Sequence, residues 1–580
     1  MTNGAAELRF GIMCSGTEFA DYAATAIERL LEMDRLELVV LIVDDSASHD
    51  QSGEHQSGAF DTLKDYSTTI YDRVREMGLR EAVDDLAWPA YKKYRGVEAC
   101  NRPRDLAAEL RDVDRLHCEP IVDGYSEYFG DEDLERLREY DLDFVLRRGF
   151  GIIRGDVLDV PTYGVWSFHH GDERKYRGGP PGFWEIYDGE PITGAILQRL
   201  TDRLDGGIIL RRGFFPTIPD HEANVNQAKY GSAEWPAQVA RDILRGDDDY
   251  LTAEPSSTDA EIYTKPSLGV LCRYLLATET PNVGALGRGV SDWNIGVVDA
   301  PIAAVASGQF DAAVDWYPRD DAARAMLADP FGWTIEGQQY VFFEEVVREE
   351  DKGRIAVVPY DDGFGSEMRV ALEEPFHVSY PYLFEYDDRL YAIPETNAIE
   401  ELRLYRVRAA DEWDYETTIA TDVTASDPTI FEHDGRWWLF YTVGDGHAST
   451  TAELEIRHAG DPTGNWVPHE NNPVKVDVRS ARSGGTPFSH DGNLYRPAQY
   501  CAGEYGQRVR INEVTELTST TFAEQSVREI VPQTDSPYPV GRHTLSAFGE
   551  QTLIDGKRRM WNEYTVRKRA AQVRDTLLGI

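Results

Sequence analysis

The 580-residue chain is poor in lysine, in cysteine and in long apolar runs, and each shortage closes off a class of function. Only ten of its 59 cationic residues are lysine, set against 102 Asp and Glu, for a net charge of −43. A surface this negative repels phosphate backbones and anionic headgroups, which argues against nucleic-acid and membrane-surface partners. An acidic, lysine-poor composition matches the halophilic pattern of proteins from salt-loaded cytoplasms. The five cysteines (Cys14, Cys100, Cys118, Cys272, Cys501) are odd in number and never spaced as C-x-x-C. Neither a disulfide frame nor a metal site is expected. No run reaches the roughly 18 apolar residues of a membrane span. The start, MTNGAAELRF, lacks the basic-then-apolar order of a secretory leader, so a cytoplasmic location is expected.

What is present points to two domains, within the two to four that this length allows. LRFGIM (8–13) reads as a buried strand and CSGT as a small-residue turn. A helix follows with Phe19, Tyr22, Ala23, Ile27, Leu30 and Leu31 on one stripe, then the strand LELVVLIV (36–43). That order begins a parallel, Rossmann-like α/β sheet. Residues 57–117 read as a helical insertion. The sheet resumes with CEPIV (118–122), DFVLRRGFGI (143–152) and GVWSFH (164–169), then the pair GAILQRL and GIILRRGFF. The first domain is placed at 1–247 and a connector at 248–288.

From about 290 the texture becomes short strands, turns and aromatics. One pattern recurs at 328–345, 379–395, 426–442 and 484–500, with a degenerate copy at 541–559. Its lead prolines are Pro330, Pro381, Pro428 and Pro487. A strand, a D-G or D-D turn and a second aromatic strand, repeated about every 50 residues, predict an all-β five-bladed propeller. It is placed at 289–565, with a tail at 566–580.

The stretch from Ser167-Phe-His169 through Lys175-Tyr176-Arg177-Gly178 and Trp184-x-Ile186-x-x-Gly189-Glu190-x-x-Thr193-Gly194 to Asp205-Gly-Gly-Ile208 resembles formyltransferases that use 10-formyltetrahydrofolate. The resemblance covers residues 8 to about 245, apart from the insertion. It implies that His169 carries the proton lost by the attacking amine and that Asp205 orients the imidazole. It also implies that position 167, asparagine in the family and Ser167 here, donates to the developing oxyanion. A serine hydroxyl reaches less far than a carboxamide, which puts the rate, or catalysis itself, in question. His170 stands where the family usually has proline and is given no catalytic part. The family grips the pterin with backbone groups matching Phe150, Gly151, Ile152 and Ile153, and Asp202, Arg203 and Leu204. The co-substrate implied is 10-formyltetrahydrofolate.

The propeller resembles the N-terminal domain of plant glucosamine inositolphosphorylceramide transferases, from DWNIGVV (292–298) through EEPFHVSYPYLFE, RPAQYC and YGQRV. More loosely it is similar to five-bladed furanosidases, whose inner-strand carboxylates attack sugars. Asp329, Asp427 and Glu395 stand at such places, and paired carboxylates across a funnel are what glycoside hydrolysis requires. Asp-Pro is also an ordinary strand-entry turn. Arg482, Arg496 and His543 are further funnel candidates. The expected function is formyl transfer to an amino sugar in glycan or surface-polysaccharide biosynthesis, with the propeller holding or processing the saccharide. The alternatives are a propeller-centred glycoside hydrolase or glycosyltransferase, and a non-enzymatic carbohydrate-binding protein with a degenerate first domain. An amino-sugar or glycan substrate is the expected partner.

Overall fold

Leu8–Cys14 (β1), Leu36–Asp44 (β2), Asp114–Cys118 (β3), Phe144–Arg147 (β4), Val165–His169 (β5), Ile192–Arg199 (β6) and Ile208–Pro216 (β7) form one sheet in the order β7-β6-β5-β4-β1-β2-β3. The five strands β3, β2, β1, β4 and β5 are parallel, and β6 is antiparallel to β5. Parallel strands need apolar cover on both faces, and Phe10, Ile12, Met13, Val145, Leu146, Val165 and Trp166 are all buried. Trp166 stacks on Phe144 at 3.9 Å between ring centroids, fixing the registry of β4 and β5. The helix Asp21–Leu31 (α1) returns the chain from β1 to β2, burying Tyr22, Ala23, Ala26, Ile27 and Leu30.

The chain is described here as a computed structural model covering residues 8–45, 79–203, 206–278, 289–308, 313–319, 324–365, 367–444 and 450–561. It divides into two compact units, residues 1–213 with 217–280, and residues 214–216 with 281–580. No helix among the described residues is long and apolar enough to cross a membrane. The predicted tail, 566–580, lies outside the described residues.

Three expectations for the first unit change. The third strand is Asp114–Cys118, not 118–122, so the sheet re-enters inside the span read as a helical insertion. In this edge strand only Leu116 and Cys118 are buried, while Asp114, Arg115 and His117 face out. Its polarity disguised it. The insertion is also only partly helical: its described part holds one long helix, Leu79–Arg95 (α2), and the short strand Pro103–Asp105. The described part of the supposed connector, to Thr278, folds with the first unit. Ile262–Tyr263 pairs with Arg177–Gly178, and Leu271 and Tyr274 of the helix Leu268–Thr278 join Trp88, Tyr91 and Phe183 in one apolar cluster. Its polar AEPSSTDAE stretch resembled a linker, but the apolar anchors downstream decide where it lies.

The second unit is five antiparallel sheets in chain order, a five-bladed propeller. Each of the five sequence copies supplies the first two strands of a sheet: Ala325–Ile335 with Gln338–Val347, Ser379–Tyr386 with Arg389–Glu395, Ala425–His433 with Arg436–Val443, Phe488–His490 with Asn493–Tyr500, and Leu545–Phe548 with Gln551–Met560. Four of these hairpins turn through two consecutive residues of positive φ, Glu336-Gly337, Asp387-Asp388, Asp434-Gly435 and Asp491-Gly492. This is the turn geometry that twists with the strands. The last sheet is completed by Val290–Val298, which pairs along its length with Gln551–Met560. That pairing closes the ring by joining the first and last strands of the propeller in one sheet.

Candidate functional site

The C-terminal ends of β4 and β5 lie beside the point where the strand order reverses, the place where open α/β sheets bind ligands. A cavity of about 380 Å³ sits there, lined by residues that include Arg147, Ile152, Ile153, Ser167, His169, Gln198, Asp202, Arg203 and Ile262. Two loops form its walls and are tied together. Gly155 N donates to the Asp202 carboxylate at 2.9 Å, and Arg154 Nη1 donates to the Asp202 carbonyl at 2.6 Å. Arg203 reaches across to the Thr258 carbonyl at 2.7 Å.

His169 is half-buried at the end of β5, and its Nε2 lies 3.0 Å from the Tyr176 carbonyl. A carbonyl only accepts, so this contact calls for a proton on Nε2. His170 points elsewhere, packed edge-on against Tyr22 at 5.3 Å with Nε2 at 3.3 Å from Ser232 Oγ. Burial, helped by Lys229 and Arg148, pushes its pKa well below the ordinary value and keeps the ring neutral. Asp205 and Leu204 lie outside the described residues.

Of the residues matched to the pterin grip, Ile152, Ile153, Asp202 and Arg203 line the cavity. Phe150 and Gly151 are engaged by the protein itself. Arg147 Nη2 donates to both of their carbonyls, at 3.1 Å for Phe150, while Gly151 N donates to Glu127 at 2.6 Å. Phe150 takes φ 64°, and its ring packs on Phe129. Arg147 was not anticipated as a site residue. Its signal was the Arg147-Arg148 pair ending an otherwise apolar strand. Alternation sends Arg148 to the opposite face, where it donates to the Tyr22 hydroxyl at 2.6 Å, and leaves Arg147 beside Ser167.

On the propeller, Asp329, Tyr380 and Asp427 occupy equivalent bulges, with φ of 50°, 48° and 49°, each followed by proline. At each bulge the pairing slips, at Ala328/Phe331, Ser379/Tyr382 and Ser426/Thr429. Such bulges re-aim side chains out of the sheet. In the fourth copy Pro487 is not the equivalent residue. It precedes the end of its strand, His490, by three positions, whereas Pro428 precedes His433 by five.

The structure joins Glu395, Asp427 and Arg482 directly. Arg482 grips Asp427 through Nε at 2.6 Å and Nη2 at 3.1 Å, and lies 3.4 Å from Glu395. Glu395 accepts from Asp427 N at 2.9 Å and from Asn397 at 2.7 Å, and Gln499 donates to Asp427. Asp329 accepts from Thr544 Oγ1 at 2.6 Å and lies 3.6 Å from His543 Nδ1, which is ion-paired to Asp555. Asp555 also accepts from His543 N and Thr544 N. Burial pushes Asp329 and Asp427 up to about 7. Burial opposes the charge on His543, yet Asp555 and Asp329 hold its pKa up at about 9. Asp329, His543 and Asp555 present ligand atoms within 4.8 Å of one another, a set that could hold a cation.

Arg496 does not join this network. It pairs with Glu524 at 2.6 Å and donates to the Ser480 and Ala481 carbonyls, a separate buried tie. Asp555, Thr544 and Gln499 were missed, because nothing in their local sequence separates them from other strand residues. Asp329, Glu395 and Asp427 are 4%, 6% and 1% exposed. A sugar ring cannot reach carboxylates so enclosed without displacing their partners. Their geometry is that of a satisfied ion-pair network.

A family model described as "Glucosamine inositolphosphorylceramide transferase 1, N-terminal" matches residues 316–537. The chain is 37% identical over 207 residues to glucosamine inositolphosphorylceramide transferase 1 of Oryza sativa subsp. indica, covering 35% of this chain and 28% of that protein. It is 34% identical over 118 residues to methionyl-tRNA formyltransferase of Lysinibacillus sphaericus (strain C3-41), covering 20% of this chain and 36% of the other. The chain therefore spans about a third or less of each of these relatives. A solved glycinamide ribonucleotide transformylase 1 from Symbiobacterium toebii aligns over 41% of this chain and 89% of its own, at 15% identity and a TM-score of 0.26.

Proposed function

We propose that the first unit moves a formyl group from 10-formyltetrahydrofolate to the amine of an amino sugar during glycan or surface-polysaccharide synthesis, with the propeller holding the saccharide. The observation that carries this reading is the cavity at the switch point, which has His169 and Ser167 on its floor and the 150–155 and 201–203 loops as walls. The similarity to a methionyl-tRNA formyltransferase supports the reaction class. The glucosamine in the name of the propeller's relatives supports an amino-sugar acceptor.

In the proposed reaction the amine nitrogen bonds to the formyl carbon and the carbonyl electrons move onto oxygen. The nitrogen's proton passes to the His169 imidazole. The carbon–N10 bond then breaks, N10 takes a proton, and tetrahydrofolate leaves. An imidazole suits both transfers because it takes up and gives back a proton near neutral pH. Asp205 is assigned the orienting carboxylate, and Asp202 and Arg203 the pterin wall. For the propeller, the burial of its carboxylates argues against hydrolysis of a sugar at that network.

The test is calorimetry of the whole chain with 10-formyl-5,8-dideazafolate, followed by formyl transfer to nucleotide-linked and lipid-linked amino sugars. Binding in the micromolar range and transfer to at least one amine are expected. Gly151→Glu should weaken binding, because the new Cβ, 2.5 Å from Glu127 Oε1, drives Glu127 off the Gly151 N–H it holds and sets a second carboxylate beside it. An absence of folate heat at high protein concentration defeats the reading.

A further inference from the structure

Ser167 is 4% exposed and cannot extend into the cavity as a carboxamide would. What it lacks in reach it gains from a neighbour. The parallel ladder pairs Val145 with Val165 and Leu146 with Trp166, so the next step sets Arg147 beside Ser167. There Arg147 Nη1 donates to Ser167 Oγ at 3.2 Å, and both side chains line the cavity that His169 enters. A guanidinium only donates, so the serine oxygen acts as acceptor toward Arg147 and its single proton is left to be given away. The nearest acceptor recorded for that proton is the Phe168 carbonyl, at 3.4 Å, a long hydrogen bond that a better-placed oxygen displaces.

From this arrangement we propose that Arg147 and Ser167 together form the donor for the formyl oxygen, with Arg147 as a positioning residue that polarises and aims the serine hydroxyl. The proposal rests on the formyl-transfer reading and names the group that binds the carbonyl oxygen within it. Two features support it beyond proximity. The same guanidinium is anchored by the Phe150 and Gly151 carbonyls, so its position relative to Ser167 is fixed by the loop. It is also a cation brought to the cavity floor of a chain whose net charge is −43. A guanidinium polarises the hydroxyl it bonds, and that polarisation strengthens the hydroxyl as a donor in turn. An arginine at the end of β4 and a serine in β5 thus replace one carboxamide with a two-residue relay.

The proposal is tested by the ratio of two affinities, that of 10-formyl-5,8-dideazafolate over that of 5,8-dideazafolate. The ligands differ only in the N10-formyl group, and a general loosening of the pocket moves both affinities together. The wild-type chain should prefer the formyl compound about tenfold, the scale of one good hydrogen bond. Ser167→Ala and Arg147→Met should each bring the ratio near one, and Ser167→Asn alone should not raise it while Arg147 occupies the space. Arg147→Val combined with Ser167→Asn should recover the preference, since the carboxamide then has both the donor and the room. Should Arg147→Met fail to fold or to bind either compound, the double variant decides: recovery supports the relay, and continued loss overturns it. A wild-type ratio near one, or a ratio unchanged in Ser167→Ala, overturns the relay and leaves the formyl-transfer reading standing. Failure of the wild-type chain to bind either compound overturns both.

Discussion

The cavity at the end of the parallel sheet and the carboxylate network of the propeller are built from the same kinds of side chain, an arginine, a histidine and acids, yet they end in opposite states. In the first unit His169 is half-buried, and the charged side chains around it line a cavity of about 380 Å³. In the propeller every charged group of the network is at most about a tenth exposed, and each is held by another member. An open polar site keeps donors for a ligand, whereas a closed one spends them on itself. The likeness of the residue types says nothing of this. Burial does.

The sharpest way to break the comparison is to remove one side chain from each region and read activity and stability separately. His169→Ala should cost about 10²–10⁴ in formyl transfer, with the melting temperature nearly unchanged. His170→Ala, which removes a ring held neutral against Tyr22, should leave the rate within a fewfold of wild type. Equal losses in both variants would mean that the pair is structural.

Next in size is Arg482→Met. It strands Asp427 and Glu395 as buried carboxylates without their cation and should cost about 3–5 kcal/mol of propeller stability, read from urea unfolding. Formyl-folate affinity, measured below the unfolding transition, should be unaffected. A variant of wild-type stability that released sugar from a furanoside panel would make the propeller a catalyst after all.

The smallest effect sharpens the contrast by finding a closed group inside the first unit. Glu185 is 2% exposed, its Oε1 has no partner among the described residues, and burial raises its pKa to about 7. The folded state then holds this proton more tightly than the unfolded chain, whose carboxyl titrates at about 4.3. The glutamate costs nothing below that pH, and its cost grows as pH rises from there to about 7, where the folded state also ionises and the cost levels off. Glu185→Gln cannot ionise, so its stability advantage over wild type should widen by about 1–3 kcal/mol between pH 5 and pH 8, at about 1.4 kcal/mol per unit. A gap that stays constant with pH would place Glu185 in contact with water.

Much of the fold was legible locally. The α/β order came from apolar runs separated by a helical stripe, and the blades came from aromatic strands around Asp-Gly turns that require positive φ at both positions. The candidate site was legible where a short stretch carries it, because Ser167, His169 and the loop after β4, which line one cavity, lie within about twenty residues. Legibility failed where the deciding partner was remote or the strand was polar. Asp114–Cys118 shows the core only two side chains, and the stretch read as a connector is held by an apolar cluster whose other members are Trp88, Tyr91 and Phe183. Arg496 looked as suitable for the funnel as Arg482 did, and only the position of Glu524 sends it elsewhere.

The sequence by itself determined the two architectures and the number of blades, because periodicity and turn stereochemistry are properties of neighbouring residues. The tertiary structure alone decided which polar groups are engaged. It set Arg147 against Ser167 through the register of two parallel strands, and it locked Asp427 to Arg482 and His543 to Asp555 across 55 and 12 residues of chain. The physical reason is that a hydrogen bond or ion pair depends on distance and on exclusion from water, and both are fixed only when remote segments pack together.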